Sequence, residues 1–274
     1  MPKREASRSS GDAVYVVAVA DARRALTYRR KLSTVFCLAA IGGFVDAIGY
    51  LTLYHLFTAH MSGNTVAFGT AVGTGHWAEA LRRGVPVAVF VFGVMVGTLI
   101  NIRAGRAGLR PSLVAPLAVE GAALFAYVGL VASDLTGRSI LAGGTTTGNY
   151  YLAASLLVFA MGLQNATLRK VGTETVRTTY VTGILTDFAI SAAHWFIARR
   201  SDKHRTSERE RGMALLAGLW FIYTGGGVSG ALAHVHFAIW APVIPAAVIV
   251  ALALLELAIP SNTAQDQSSQ AQGA

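Results

Sequence analysis

The sequence predicts an all-α polytopic membrane protein made of two sequence-related repeats. Three observations carry that expectation. Of 274 residues, 53% are hydrophobic and only 14% are charged, where a soluble domain carries about a quarter charged residues. The mean hydropathy is +0.50. Six apolar stretches reach membrane length, 34–56, 84–102, 112–132, 150–168, 213–233 and 237–259. These features exclude a soluble globular class.

The arm 1–32 holds eight Lys and Arg. Its apolar run 14–20 is too short to span. It reads as a basic, disordered cytoplasmic arm that meets anionic lipid. The first long run contains Asp46, and no small-residue cleavage site follows it, so it reads as a retained span. The one cysteine, Cys37, lies inside this run, and no disulfide within the chain is possible. The formal charge is +9, but the basic residues lie between spans, as the positive-inside bias places them. No nucleic-acid partner is expected.

Two shorter segments, 61–75 and 179–198, open on polar residues. The first begins with the knot His60, Ser62, Gly63, Asn64 and Thr65. The second begins with Thr179, Thr182 and Gly183. Between the halves lies a loop, 134–149, whose GGTTTGN lacks the lysine of a nucleotide site. The polar tail 261–274 reads as disordered.

The halves, 33–133 and 150–260, share four features in one order. GFVDA (43–47) matches GLQNA (162–166), and MSGNTVAF (61–68) matches VTGILTDF (181–188). The next span carries Gly-x-x-x-Gly in each half, Gly93–Gly97 and Gly226–Gly230, a spacing that lets helices pack closely in lipid. The last span carries one glutamate in each, Glu120 and Glu256.

Charge placement favours six full crossings plus two short polar-headed segments. Six crossings leave only Arg82, Arg83 and Arg138 outside. The alternative, eight crossings in a 4+4 arrangement, puts Arg103, Arg106, Arg110, Arg169, Lys170 and Arg177 outside. Six crossings invert the halves, a transporter pattern.

Polar groups inside apolar runs mark the candidate pathway, because such groups are costly in lipid. Asp46 shares a helical face with Gly42, Gly43, Gly49 and Tyr50. Gln164 and Asn165 stand at the matching place in the second half. Glu120 lies deep in its span. Thr179, Thr182, Thr186, Asp187, Ser191 and His194 form one stripe, with Asp187 and His194 spaced to share a proton. This stripe fits either a cavity lining or an interfacial amphipathic helix. Ser62, Gly63 and Asn64 are expected to start a short helix whose free N–H groups face the pocket. Asp46, Glu120 or Asp187 would then bind a proton or cation. His60 completes the candidate set. No metal, cofactor or catalytic constellation is found, and His234-Val-His236 is too slight for a metal site.

GFVDAIGYLTL followed by FTAHMSGNTVAFG, with GLQNA and TYVTGILTDF in the second half, resembles the YoaK-like family of bacterial multi-pass membrane proteins, a family whose domain has no assigned function. The resemblance covers about 33–260. It implies a bacterial inner-membrane protein with an internal repeat. The expected function is a small-molecule transporter or permease, its partners the lipid bilayer and a small solute. The alternatives are a non-transporting scaffold or sensor and, more weakly, a lipid-acting membrane enzyme.

Overall fold

The computed structural model describes residues 5–106, 113–133, 148–167, 170–171, 174–175, 179–198 and 203–258. Eight α-helices lie among them: α1 (Glu5–Thr52), α2 (Met61–Gly73), α3 (Trp77–Arg106), α4 (Val114–Ala132), α5 (Gly148–Thr167), α6 (Val181–Ala198), α7 (Lys203–Phe237) and α8 (Val243–Ala258). A two-residue antiparallel ladder, Lys170–Val171 with Glu174–Thr175, lies between α5 and α6. The chain is a polytopic all-α membrane protein. The tail 261–274 and the loop residues 134–147 lie outside the described residues.

Two expectations are corrected here. The arm read as disordered is drawn from Glu5 as the start of α1. Its residues 13–32 contain neither Gly nor Pro, so nothing there breaks a helix. The stretch 237–259 is not one continuous helix. A 3-10 turn, Ala238–Trp240, ends α7, and Pro242 stands just before α8. Proline suits the start of a helix and not its interior.

Four stretches are long and apolar enough to cross a bilayer: Tyr28–Thr52, Trp77–Ala104, Val114–Ala132 and Arg209–Trp240. Val181–Ile197 and Val243–Ala258 are shorter apolar helices. The 20-residue α5 is not in this set. Its last turns carry Gln164 and Asn165, which lower its apolarity. Burial separates the inner from the outer elements. The α1 stretch is 67% buried, against 17% for the α3 stretch and 22% for the α7 stretch. Leu38 and Val45 of α1 and Leu157 and Met161 of α5 are core residues with almost no exposure.

Backbone approach organises this core. Helix α1 packs on α7, and α5 packs on α3. A Cβ on Gly226 would run into the Ala40 carbonyl, and one on Gly230 would sit 2.6 Å from the Phe44 carbonyl oxygen. On the other side a Cβ on Gly93 would sit 2.6 Å from the Phe159 carbonyl oxygen, and one on Gly97 would sit 2.8 Å from the Ala166 Cβ. Gly43 and Gly162 face these contacts from α1 and α5. Both pairs advance in step, so each pair runs parallel. Small residues permit this closeness, and close packing drives helix association in lipid.

The helices α2 and α3 form one hairpin, and α6 and α7 form another. The chain from Leu53 to His60 folds back along α1 before α2 begins. Gly49 makes room for it: a Cβ there would sit 2.9 Å from the Leu56 carbonyl oxygen. Tyr54 (φ 53°) and His55 (φ 58°) take left-handed backbone conformations at this reversal, which cost non-glycine residues free energy. Arg83 holds both in place, its guanidinium donating to the Tyr54 carbonyl at 2.8 Å and the His55 carbonyl at 3.0 Å.

Candidate functional site

The reversal brings the polar knot to Asp46, six residues before the end of α1. Asp46 Oδ1 accepts from the Thr58 backbone N–H at 2.6 Å, the Thr58 hydroxyl at 2.8 Å and the Ala59 N–H at 2.8 Å. Its Oδ2 meets His60 Nδ1 at 2.5 Å and accepts from the Tyr223 hydroxyl of α7. An ionised carboxylate offers about four lone-pair sites and no donor. Five donors therefore saturate Asp46. The balance also orients the imidazole: Nδ1 donates to the carboxylate, and no described residue meets Nε2. The Tyr223 oxygen lies 3.1 Å from His60 Nδ1 and closes the triangle.

His60 and Ser62 stand between two cavities. One is an open groove of about 580 Å³, bordered by Gly43, Asp46, Tyr50, Phe57, Gly63 and Tyr223 among others. The other is more enclosed, about 640 Å³. Its walls are the chain just before and into α2 (Ala59, His60, Met61, Ser62), the matching stretch at the start of α6 (Thr179, Tyr180, Val181, Thr182), and Phe90, Val94 and Asn165. The two polar knots thus border one cavity. Among the described residues no lysine or arginine lines either space.

The second knot is built differently. Thr179 donates its hydroxyl to Asn165 Oδ1 at 2.8 Å, and Asn165 donates to the Met161 carbonyl at 2.9 Å. Gly42 admits Thr179, whose Cγ2 lies 2.8 Å from where a Cβ on that glycine would be. The glycines shared by the knots do unlike work. The Tyr180 ring occupies the space a side chain on Gly183 would need, whereas a Cβ on Gly63 would make only ordinary contact with Phe57 at 3.6 Å.

Several sequence candidates lie elsewhere. Asn64 is buried and borders neither cavity. Its amide donates to the Phe57 carbonyl at 2.6 Å, and its Oδ1 has no partner among the described residues. The Asn64 side chain is thus turned inward, because the chain before α2 passes beside it. Gln164 is buried and donates to the Leu38 carbonyl at 2.8 Å, tying α5 to α1. Asp187 and His194 are exposed and outside the cavities, and no hydrogen bond or ion pair joins them among the described residues. Helix α6 turns only its first residues to the cavity, so of the stripe Thr179 and Thr182 line it and Thr186, Asp187, Ser191 and His194 do not. Glu256 pairs with Arg30, near the start of the membrane-length stretch of α1. Tyr223 and Thr58 are site residues that the sequence reading missed. Tyr223 carries the clearer signal. It precedes the Gly226–Gly230 pair by three residues, as Phe90 precedes Gly93–Gly97.

Glu120 is fully buried in α4, and neither carboxyl oxygen has a partner among the described residues. An unpaired buried polar group costs about 1–3 kcal/mol on protein scales. Glu120→Leu is therefore expected to raise stability by about that amount, read as the unfolding midpoint of purified protein. A fall in the midpoint would mean that the carboxyl is paired in the membrane. No group of three His, Cys, Asp or Glu suited to a metal ion occurs among the described residues.

Two relatives are named transmembrane proteins. The chain is 28% identical over 223 residues to the UPF0700 transmembrane protein YoaK of Bacillus subtilis (strain 168), covering 80% of this chain and 92% of that one. It is 28% identical over 183 residues to the UPF0700 transmembrane protein RA0705 of Rhizobium meliloti (strain 1021), covering 65% and 71%. No solved structure matches the chain. The family described as Protein of unknown function (DUF1275) matches residues 34–255. That match spans both halves and every residue of the Asp46 site, and the chain belongs to the DUF1275 family.

Proposed function

We propose that the protein is a small-solute transporter or permease of the bacterial inner membrane, built from two inverted repeats with both termini cytoplasmic. The observation that carries this reading is the shared cavity, bordered by the starts of α2 and α6 and lined, among the described residues, by hydroxyl, amide and imidazole groups without a fixed cation. The crosswise packing of the halves supports the duplication. The first helix of each half meets the third helix of the other through matching glycines.

The running directions support six crossings. Arg30 and Glu256 mark one end of the bundle. Thr52 with Tyr127, and Arg83 with Tyr54, mark the other. Helix α3 therefore starts at the end where α1 finishes, so α2 reaches inward and returns instead of crossing. Helix α6 does the same from the opposite end, where Trp195 donates to Glu210 at 2.8 Å. Impermeant labelling of single cysteines at Thr74 and at Arg200 is expected to place them on opposite sides. Labelling from the same side would refute the inverted arrangement. Transport itself is tested by solute uptake into proteoliposomes, with a Ser62→Phe variant that fills the cavity expected to abolish it. Uptake no greater than that of empty liposomes across a broad set of solutes would refute it.

The saturation of Asp46 favours a second reading, a non-transporting membrane scaffold. In that case this carboxylate only pins α1, the α2 entry and α7 together.

A further inference from the structure

The carboxylate that first draws the eye is not free to work. All its acceptor capacity is used, so a proton or cation has no place on Asp46 without breaking the knot. The free capacity lies one atom further on. His60 spends Nδ1 on Asp46, and no described residue meets its Nε2. The ring borders the open groove and the enclosed cavity at once. Imidazole is the side chain whose charge changes between about pH 5 and 8.

The groups facing His60 decide what a proton there would do. From α1 this is Asp46, with Tyr50 bordering the same open groove. From α7 it is the Tyr223 phenol, and the Phe57 ring stands edge-on at 5.9 Å between ring centres. Across the enclosed cavity are Asn165 and Tyr180. Among the described residues Asp46 is thus the only carboxylate at this place, and no described cation opposes an imidazolium. Protonation at Nε2 changes the site from net negative to neutral. It also turns an acceptor into a donor.

We propose that His60 is a proton-carrying residue at the partition of the two cavities, positioned by Asp46 and Tyr223, and that its proton is exchanged with passage of a solute bearing an oxygen acceptor. Nε2 takes a proton from water on one side and returns it to water on the other, with no other bond made or broken. The coupling half rests on the transport reading above, whereas the proton site does not.

Ring-15N-histidine NMR of the full chain in nanodiscs tests the proton site. The signal lost in His60→Gln identifies His60 among the seven histidines. It should show hydrogen on Nδ1 alone in base and on both nitrogens in acid. Asp46→Asn should scramble the tautomer, and Tyr223→Phe, which leaves the carboxylate in place, should keep it. A residue held only for structure would show one protonation state throughout, and that result, or hydrogen on Nε2 alone in base, overturns the proposal. In proteoliposomes, uptake driven by a pH gradient should fall at least about tenfold in His60→Gln, the effect of losing a proton-transfer group. Equal gradient-driven uptake in that variant would overturn the proposal and leave transport standing. A titrating His60 with no uptake of any solute would uphold the proton site and refute transport.

Discussion

Asp46→Ala is expected to be the most destabilising substitution in the site, by about 3–5 kcal/mol, the range seen when one partner of a buried charged cluster is removed. Five donors lose their acceptor together. Two are backbone N–H groups, of Thr58 and Ala59, which no side-chain change can retune. Thr58 is fully buried, so water does not readily replace the carboxylate there. Asp46→Asn is expected to cost less, because one oxygen remains, although its NH2 faces existing donors. Thr58→Val removes one donor and its acceptor contact while leaving the backbone bonds intact, and should cost only about 0.5–1.5 kcal/mol. Unfolding midpoints of the three purified variants give this order directly. Equal, small effects would show that the knot adds little to stability.

Gly226→Leu is expected to be comparably damaging by a different route. Its Cβ would overlap the Ala40 carbonyl, which belongs to a helix backbone and has no rotamer to change. The two helices must part. Overpacking costs about 1–3 kcal/mol and sometimes more. Here the separation also draws Tyr223, one turn away, from Asp46. Gly225→Ala is the matched control. Nothing lies within 4 Å of its missing side chain, so it should be neutral or gain up to about 1 kcal/mol from helix propensity. A Gly226→Leu protein as stable as this control would remove the close α1–α7 contact from the account.

Much of this architecture is legible in the sequence for plain physical reasons. Lipid demands long apolar helices, so composition reveals them. Backbone contact demands glycine, so GFVDA, GLQNA and the two Gly-x-x-x-Gly pairs stand out. What the sequence hides is partnership. Asp46 looks like an ion site from α1 alone, and only the return of Thr58–His60 shows it to be spent. Tyr223 looks like one aromatic among many in an apolar span. The available signal was a comparison of halves, a tyrosine in one where the other has Phe90. The polar stripe of α6 misled because helical periodicity tells which residues share a face, not what the face meets. Docking on α7 decides that, and it leaves Asp187 and His194 exposed.

The central claim is that two unequal polar knots border one water-filled cavity. It is tested most directly by thiol accessibility of Ser62→Cys and Thr182→Cys, each made with Cys37→Ala in the folded full chain. Both cysteines are expected to react with a small water-soluble methanethiosulfonate reagent, and a bulky adduct on one should shield the other. Cysteines that react only after denaturation would show a dry interface there and contradict the account.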